Sequence, residues 1–275
     1  MKGVSESLAG RAAVFQLLPF STRETPKVTL RRGGFPEVLA RPSAAPLWFS
    51  SYVQTYLERD VRLVSAIRDL ATFRRFLALV ATRTGQILNK TDLAAPLGVS
   101  VPTIGAWLSV LEVTGQIALV PPFFESFGKR LTKSPKTYLL DSGLACHLLG
   151  IETEGQLSRS PFLGPLFEGF VASEIVKLQA NAGHRREIYH FRDQQGLEVD
   201  FVVPRRAGEL ILIEAKASRT VRPAMADAVA RLSRAATGRT RGIVVHRGDD
   251  AGTGATALRP GVRALPLAKL LDELG

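Results

Sequence analysis

Two runs late in the chain carry acidic and basic side chains at spacings that could act on a phosphate ester. GLEVDFVV holds Glu198 and Asp200, and ELILIEAKAS holds Glu214 and Lys216. Side chains alternate across a strand, so Glu198 and Asp200 share a face of the first run, and Glu214 and Lys216 a face of the second. A hairpin register that joins those faces makes Asp200, Glu214 and Lys216 converge. Glu168, on the helix expected upstream, adds another carboxylate. Oxygen donors of this kind suit one or two Mg²⁺ ions. The expected metal ligands are therefore Glu168, Asp200 and Glu214, and the expected catalytic set is Asp200, Glu214 and Lys216. Lys216 would orient or deprotonate a water and stabilise charge on a phosphoryl oxygen. Glu174 is the weaker candidate, because its distance along the same helix turns it to a different face from Glu168. Glu214 has apolar residues on both sides, so its strand reads as internal and its carboxylate needs a partner.

The elements that must position these groups follow from hydrophobic period and punctuation. A Gly, Ser and Glu-rich stretch, Gly150 to Ser160, reads as a boundary. After it come a helix (Leu166 to Gln179), three strands (Glu187 to Arg192, Leu197 to Val203, Glu209 to Ala215), a helix (Pro223 to Ala236) and a strand (Gly242 to His246). That order, αβββαβ over residues 151–275, belongs to an α+β or α/β unit.

Upstream, Ala12 to Phe20 is a short apolar run closed by proline, the pattern of a buried strand with no strand partner nearby. Pro46 to Leu70 and Phe73 to Thr82 carry helical spacing, the second stopping near Gly85. In NKTDLAAPLGVSVPTIGAWLSVLEV, a short helix from Thr91 to Leu97, a turn at Gly98 and a Ser100 cap followed by Pro102 match a helix-turn-helix. Strands Ile117 to Val120 and Thr137 to Leu140 flank the basic segment GKRLTKSPK, which reads as the hairpin of a winged helix. DNA is the expected partner, through Thr103 and Ser109 on the second helix and Lys129, Arg130, Lys133 and Lys136 on the wing. The second helix, Pro102 to Thr114, has no Lys or Arg, so phosphate contact falls to the wing. A winged helix that packs against a protein neighbour is the alternative. Trp107 reads as core, and Arg59 and Asp60 in YLERDV as helix-surface residues ion-paired with a neighbour.

With 275 residues, the chain has room for about two compact units. Its 36 Lys and Arg against 25 Asp and Glu leave a net +11, which agrees with an acidic partner without specifying one. The single Cys146 excludes an intrachain disulfide and multi-cysteine zinc sites. Nothing approaches the roughly 20 apolar residues of a membrane span, and the first residues lack the apolar core of a signal peptide, so a cytoplasmic location is expected.

The pattern Gly164-x-x-x-Glu168, Asp200 after a strand and Glu214-x-Lys216 in the next resembles the PD-(D/E)xK nuclease superfamily over about Pro161 to Val245. That resemblance implies a restriction-endonuclease-like fold and Mg²⁺-dependent phosphodiester hydrolysis. SLAGRAAVFQLLPFS, GGFPEVL, YLERDV, the winged helix, LLDSGLACHLLG and GPLFEGFVASEIVK, in that order, are similar to a large prokaryotic family of predicted AAA-superfamily ATP-binding proteins. The likeness implies that residues 1–45 are the end of an ATPase module and linker, 46–150 a helical and winged-helix region, and 151–275 the nuclease-like domain. It also allows Arg59 and Asp60 to contact a nucleotide at an ATPase boundary, the alternative to their surface ion pairing. A P-loop needs G-x-x-x-x-G-K-[ST], and this sequence has none: GTGATAL lacks the lysine and GKRLTK the first glycine. ATP binding and hydrolysis are therefore not expected of this chain alone, which reads as a truncated member. Two readings stay open: a DNA-associated, metal-dependent nuclease, and a non-catalytic module docking on a separate ATPase subunit.

Overall fold

The computed structural model describes residues 16–56, 69–123, 133–248 and 255–275. Among them the chain is mixed α+β, with a two-stranded and a six-stranded sheet. The first helices are α1 (Pro36–Ala40), α2 (Ala45–Tyr56) and α3 (Leu70–Thr82). Next come α4 (Lys90–Ala94), which runs into a 3₁₀ turn (Ala95–Leu97), and α5 (Val101–Val113). Gly98 turns the chain at φ +64, and Ser100 Oγ accepts from Thr103 N at 3.2 Å, so the helix-turn-helix forms where its caps direct. Trp107 packs edge-on against Phe73 at 5.1 Å and is core, as its helical position implies.

Strands β1 (Ile117–Val120) and β2 (Lys136–Leu139) form the antiparallel hairpin. β2 is bonded on its other edge as well: Ile87 bridges Lys136, and Gly85 N donates to Thr137 O at 2.9 Å. All four β2 residues are buried, which a wing projecting into solvent would not produce. Beyond the hairpin lie α6 (Ser142–Leu148), α7 (Glu154–Arg159) and α8 (Leu163–Asn181). Then follow β3 (Tyr189–Arg192), β4 (Glu198–Pro204), β5 (Leu210–Lys216), α9 (Asp227–Ala235), β6 (Thr240–His246), β7 (Thr256–Arg259), β8 (Val262–Pro266) and α10 (Leu267–Leu274).

The large sheet runs β3-β4-β5-β6-β8-β7, antiparallel through β5, parallel across β5, β6 and β8, and antiparallel again at β7. Alternation sorts its two faces. Phe201, Ile211, Ile213, Ile243 and Val245 face α8 and α10, and Val202, Leu212 and Val244 face α9. The expected αβββαβ order is present and continues with a β-hairpin and a helix that the sequence reading left unassigned. The first core is continuous from Val28 through the helix-turn-helix and the β1–β2 hairpin to Leu274. The edge strand β3 also takes a bridge from Pro122, just after β1, with His190 N donating to Pro121 O at 3.0 Å. The β1–β2 unit is thus joined to the large sheet by backbone bonds.

The expected strand at Ala12 to Phe20 is corrected over its described part: residues 16–20 form no strand, and Leu17 is 96% exposed. No strand partner lies beside them among the described residues. Phe20 N reaches only Gly34 O, at 2.8 Å, and a lone extended segment without a ladder is not a sheet. The neighbouring Gly-Gly pair is explained by Asp141. Its carboxylate accepts from Gly34 N at 2.7 Å and caps α6 through Leu144 N at 2.8 Å. Gly33, at φ +70, lies so close that any Cβ would run into that carboxylate. Arg59 and Asp60, and the expected helix beyond Tyr56, lie outside the described residues.

Candidate functional site

The site begins where two strands part. β4 and β5 are paired from Pro204–Leu210 to Phe201–Ile213, and extending that register sets Asp200 opposite Glu214. Beyond Phe201 the ladder stops. Asp200 Oδ2 accepts from Ala215 N at 2.9 Å, so a carboxylate stands in for the next backbone bond. The fork opens toward the first turns of α8, which deliver Glu168. Asp200, Glu214 and Glu168 are therefore gathered in one neighbourhood largely shielded from solvent, with Lys216 part-exposed at its edge.

What fills the middle is Lys136. Its side chain is 2% exposed, and its Nζ lies 2.6 Å from Glu198 Oε1, 2.9 Å from Glu168 Oε1 and 3.3 Å from Asp200 Oδ1. Tyr138, two residues on and so on the same face of β2, donates to Glu168 Oε1 at 2.6 Å. Gly85 backs the same carboxylate: at φ +75, a Cβ there would lie 3.3 Å from Glu168 Oε2. Lys216 Nζ pairs with Glu214 Oε1 at 2.7 Å, while Glu214 Oε2 is buried with no partner among the described residues. Arg192 reaches Glu198 from the rim at 3.5 Å.

Burial opposes the Lys136 ammonium, but Glu168, Asp200 and Glu198 outweigh it and raise its pKa. Burial, then the nearby Asp200 charge, pushes Glu168 up to about 7 against the pull of Lys136 and Tyr138. The same two causes push Glu214 up to about 8 against Lys216. Both carboxyls thus take a proton near neutrality, which brings the four carboxylates closer to balance with the two ammonium groups. A carboxyl whose pKa is higher folded than unfolded loses stability as pH rises from its ordinary value through the raised one. For Glu214 that range is 4.5 to about 8. Burial lowers His190 to about 4, which acts in the opposite sense below the ordinary histidine range, so the diagnostic window lies above about pH 7. There stability falls by about 1 kcal/mol per pH unit, and Glu214→Gln makes the slope shallower. Melting curves at several pH values check this, and an unchanged slope in the variant refutes it.

The fit to Mg²⁺ can be judged from the donors. Mg²⁺ needs oxygens converging on one point at about 2.1 Å. Here the carboxylates converge on an ammonium nitrogen, and no group of three or more His, Cys, Asp or Glu among the described residues is arranged to hold a metal ion. In this arrangement the residues do not fit the ion.

The residues expected to meet DNA are dispersed. Thr103 is half-buried, with its hydroxyl 2.8 Å from that of Ser100 at the helix cap. Ser109 is exposed, but its hydroxyl donates to Gly105 O. Lys133 is exposed, and Lys129 and Arg130 lie outside the described residues. Lys136 is corrected: buried among carboxylates, its ammonium cannot reach a phosphate from this position. Glu174 does face away from the fork, and its Oε2 accepts from Thr22 N at 2.7 Å. Cys146 is buried, with its thiol pushed up to about 12 by burial and then by Asp141, so it is no nucleophile.

Glu198 was placed beside Asp200 but not counted among the site residues, and Tyr138 and the true place of Lys136 were missed. A signal existed: in KTYL, Lys136 and Tyr138 share a face of a strand that leads directly into the apolar LL and the following helix. No single helix among the described residues is long and apolar enough to cross a membrane.

Comparison with known sequences matches residues 24–155 to a domain of unknown function (DUF8612) and residues 163–270 to another (DUF4143). The chain is 34% identical over 205 residues to an uncharacterized protein of Mycobacterium tuberculosis, and equally to one of Mycobacterium bovis. The aligned part is 72% of this chain and 46% of each relative, so the chain spans about half the length of the curated relatives it matches.

Proposed function

We propose that this chain is an accessory module of a prokaryotic, cytoplasmic AAA-type ATP-binding protein. Its winged helix docks on DNA or on the ATPase, and its restriction-endonuclease-like domain does not cut in the arrangement described. The association with an AAA-type ATPase is supported by the order of its motifs and by the DUF4143 match over 163–270. No ATP hydrolysis is assigned to these residues themselves, which hold no P-loop motif. The observation that carries the non-cutting reading is Lys136 Nζ within 2.6–3.3 Å of three carboxylates, at the centre where a catalytic cation would have to act.

A second reading, an Mg²⁺-dependent nuclease, is favoured by the buried, unpartnered Glu214 Oε2 beside Lys216. One assay separates them. Supercoiled plasmid incubated with Mg²⁺ or Mn²⁺ and wild-type, Asp200→Ala or Lys216→Ala protein should show the same background nicking in all three. Cleavage by the wild type that both substitutions abolish would establish the nuclease instead.

A further inference from the structure

The geometry points to Lys136 as the resident cation of the fork: its ammonium takes the position and charge role of a divalent ion, so the free protein binds no Mg²⁺ or Mn²⁺ there. This rests on the reading of the fork as a nuclease-like pocket, and it concerns ion occupancy rather than cutting.

Three features support it. An ammonium has three N–H donors, and three carboxylates, on Glu168, Glu198 and Asp200, lie within reach of this one. Its donors are matched without water. Second, the lysine does not swing in from a mobile surface. Its backbone is paired with Val120 on one side and bridged to Ile87 on the other, so the position of Nζ is set by a buried strand. Third, the oxygens an ion would use are committed elsewhere as well. Asp200 Oδ2 holds Ala215 N, Glu168 Oε1 also takes the Tyr138 hydroxyl, and Glu214 Oε1 holds Lys216. An entering ion would have to displace a buried charge-assisted network around Lys136, with Glu214 Oε2 left as its one buried acid oxygen without a partner among the described residues.

Removing the ammonium while keeping its volume leaves clustered carboxylates with no central cation, and a divalent ion is the species their charge then selects. The test is a Mn²⁺ titration of the full chain, followed by electron paramagnetic resonance and by the shift in melting temperature. Wild type is expected to show no specific site at millimolar Mn²⁺. Lys136→Met should bind one Mn²⁺ at least tenfold more tightly and melt higher with it, and Lys136→Met with Asp200→Asn should lose both effects. Lys136→Arg, which keeps the charge, should behave as wild type.

Stoichiometric Mn²⁺ binding by wild type that Asp200→Asn removes would overturn the proposal, and that arm stands even if Lys136→Met does not fold. A folded Lys136→Met with no gain in binding would overturn it too. Plasmid cleavage by a wild-type protein that binds no Mn²⁺ when free would refute the non-cutting function and leave this inference standing.

Discussion

Lys136→Met is expected to lower the folding stability of this chain by about 3–5 kcal/mol, the range for removing one partner of a buried ionic cluster. The methionine fills most of the space of the lysine stem, so packing changes little. What is lost, among the described residues, is the charge centred between Glu168, Glu198 and Asp200. The surviving carboxylates repel one another in a poorly solvated pocket, and the Tyr138 hydroxyl alone remains on Glu168. Urea unfolding followed by fluorescence measures the loss. Pairing Lys136→Met with Glu198→Gln should recover part of it, since one repelling charge goes with the cation, and a double-mutant cycle gives the coupling. A loss below about 1 kcal/mol would mean that solvent reaches the fork and screens it, as at surface pairs.

Glu174→Ala is expected to cost a comparable amount, about 3–5 kcal/mol, far from the fork. Glu174 is fully buried, and its Oε1 accepts from Lys177 Nζ at 3.3 Å. Its Oε2 accepts from both the backbone N–H and the hydroxyl of Thr22. Lys177 in turn donates to Phe20 O at 3.1 Å. The pair on α8 therefore holds down the segment at Phe20 to Thr22. Truncating the glutamate strands a buried ammonium on a single carbonyl and leaves the Thr22 N–H unpaired. Hydrogen exchange should show residues 20–34 losing protection before the large sheet does. Glu174→Leu combined with Lys177→Met should be more stable than Glu174→Ala, because no charge is then left unpaired. Equal protection of that segment in wild type and Glu174→Ala would exclude the anchoring role.

Much of the fork was legible because its determinants are short-ranged. Alternation along GLEVDFVV and ELILIEAKAS was enough to put Asp200, Glu214 and Lys216 on meeting faces, and the register observed up to Phe201–Ile213, extended by one pair, sets Asp200 opposite Glu214. The caps of the helix-turn-helix were likewise readable, since Ser100 serves an N–H three residues away. Lys136 was misread for the opposite reason. Its neighbours in GKRLTKSPK are basic and polar, so local composition places it in solvent, whereas its partners Glu168 and Asp200 lie 32 and 64 residues away. The strand expected at Ala12 to Phe20 failed similarly over its described part: apolar character favours extension, but a strand needs an edge to pair with.

The amino-acid sequence by itself determined the α+β character, the helix-turn-helix, the order of strands around the fork and the identity of its acids and Lys216. These depend on side-chain period, capping and turn chemistry, each decided within a few residues. Only the tertiary structure decided that the β1–β2 hairpin closes on the large sheet, that Lys136 lies among the carboxylates, and that Glu174 and Lys177 hold the early segment. A buried charge is tolerable only where partners from distant elements meet it, and that meeting is a property of the packed chain.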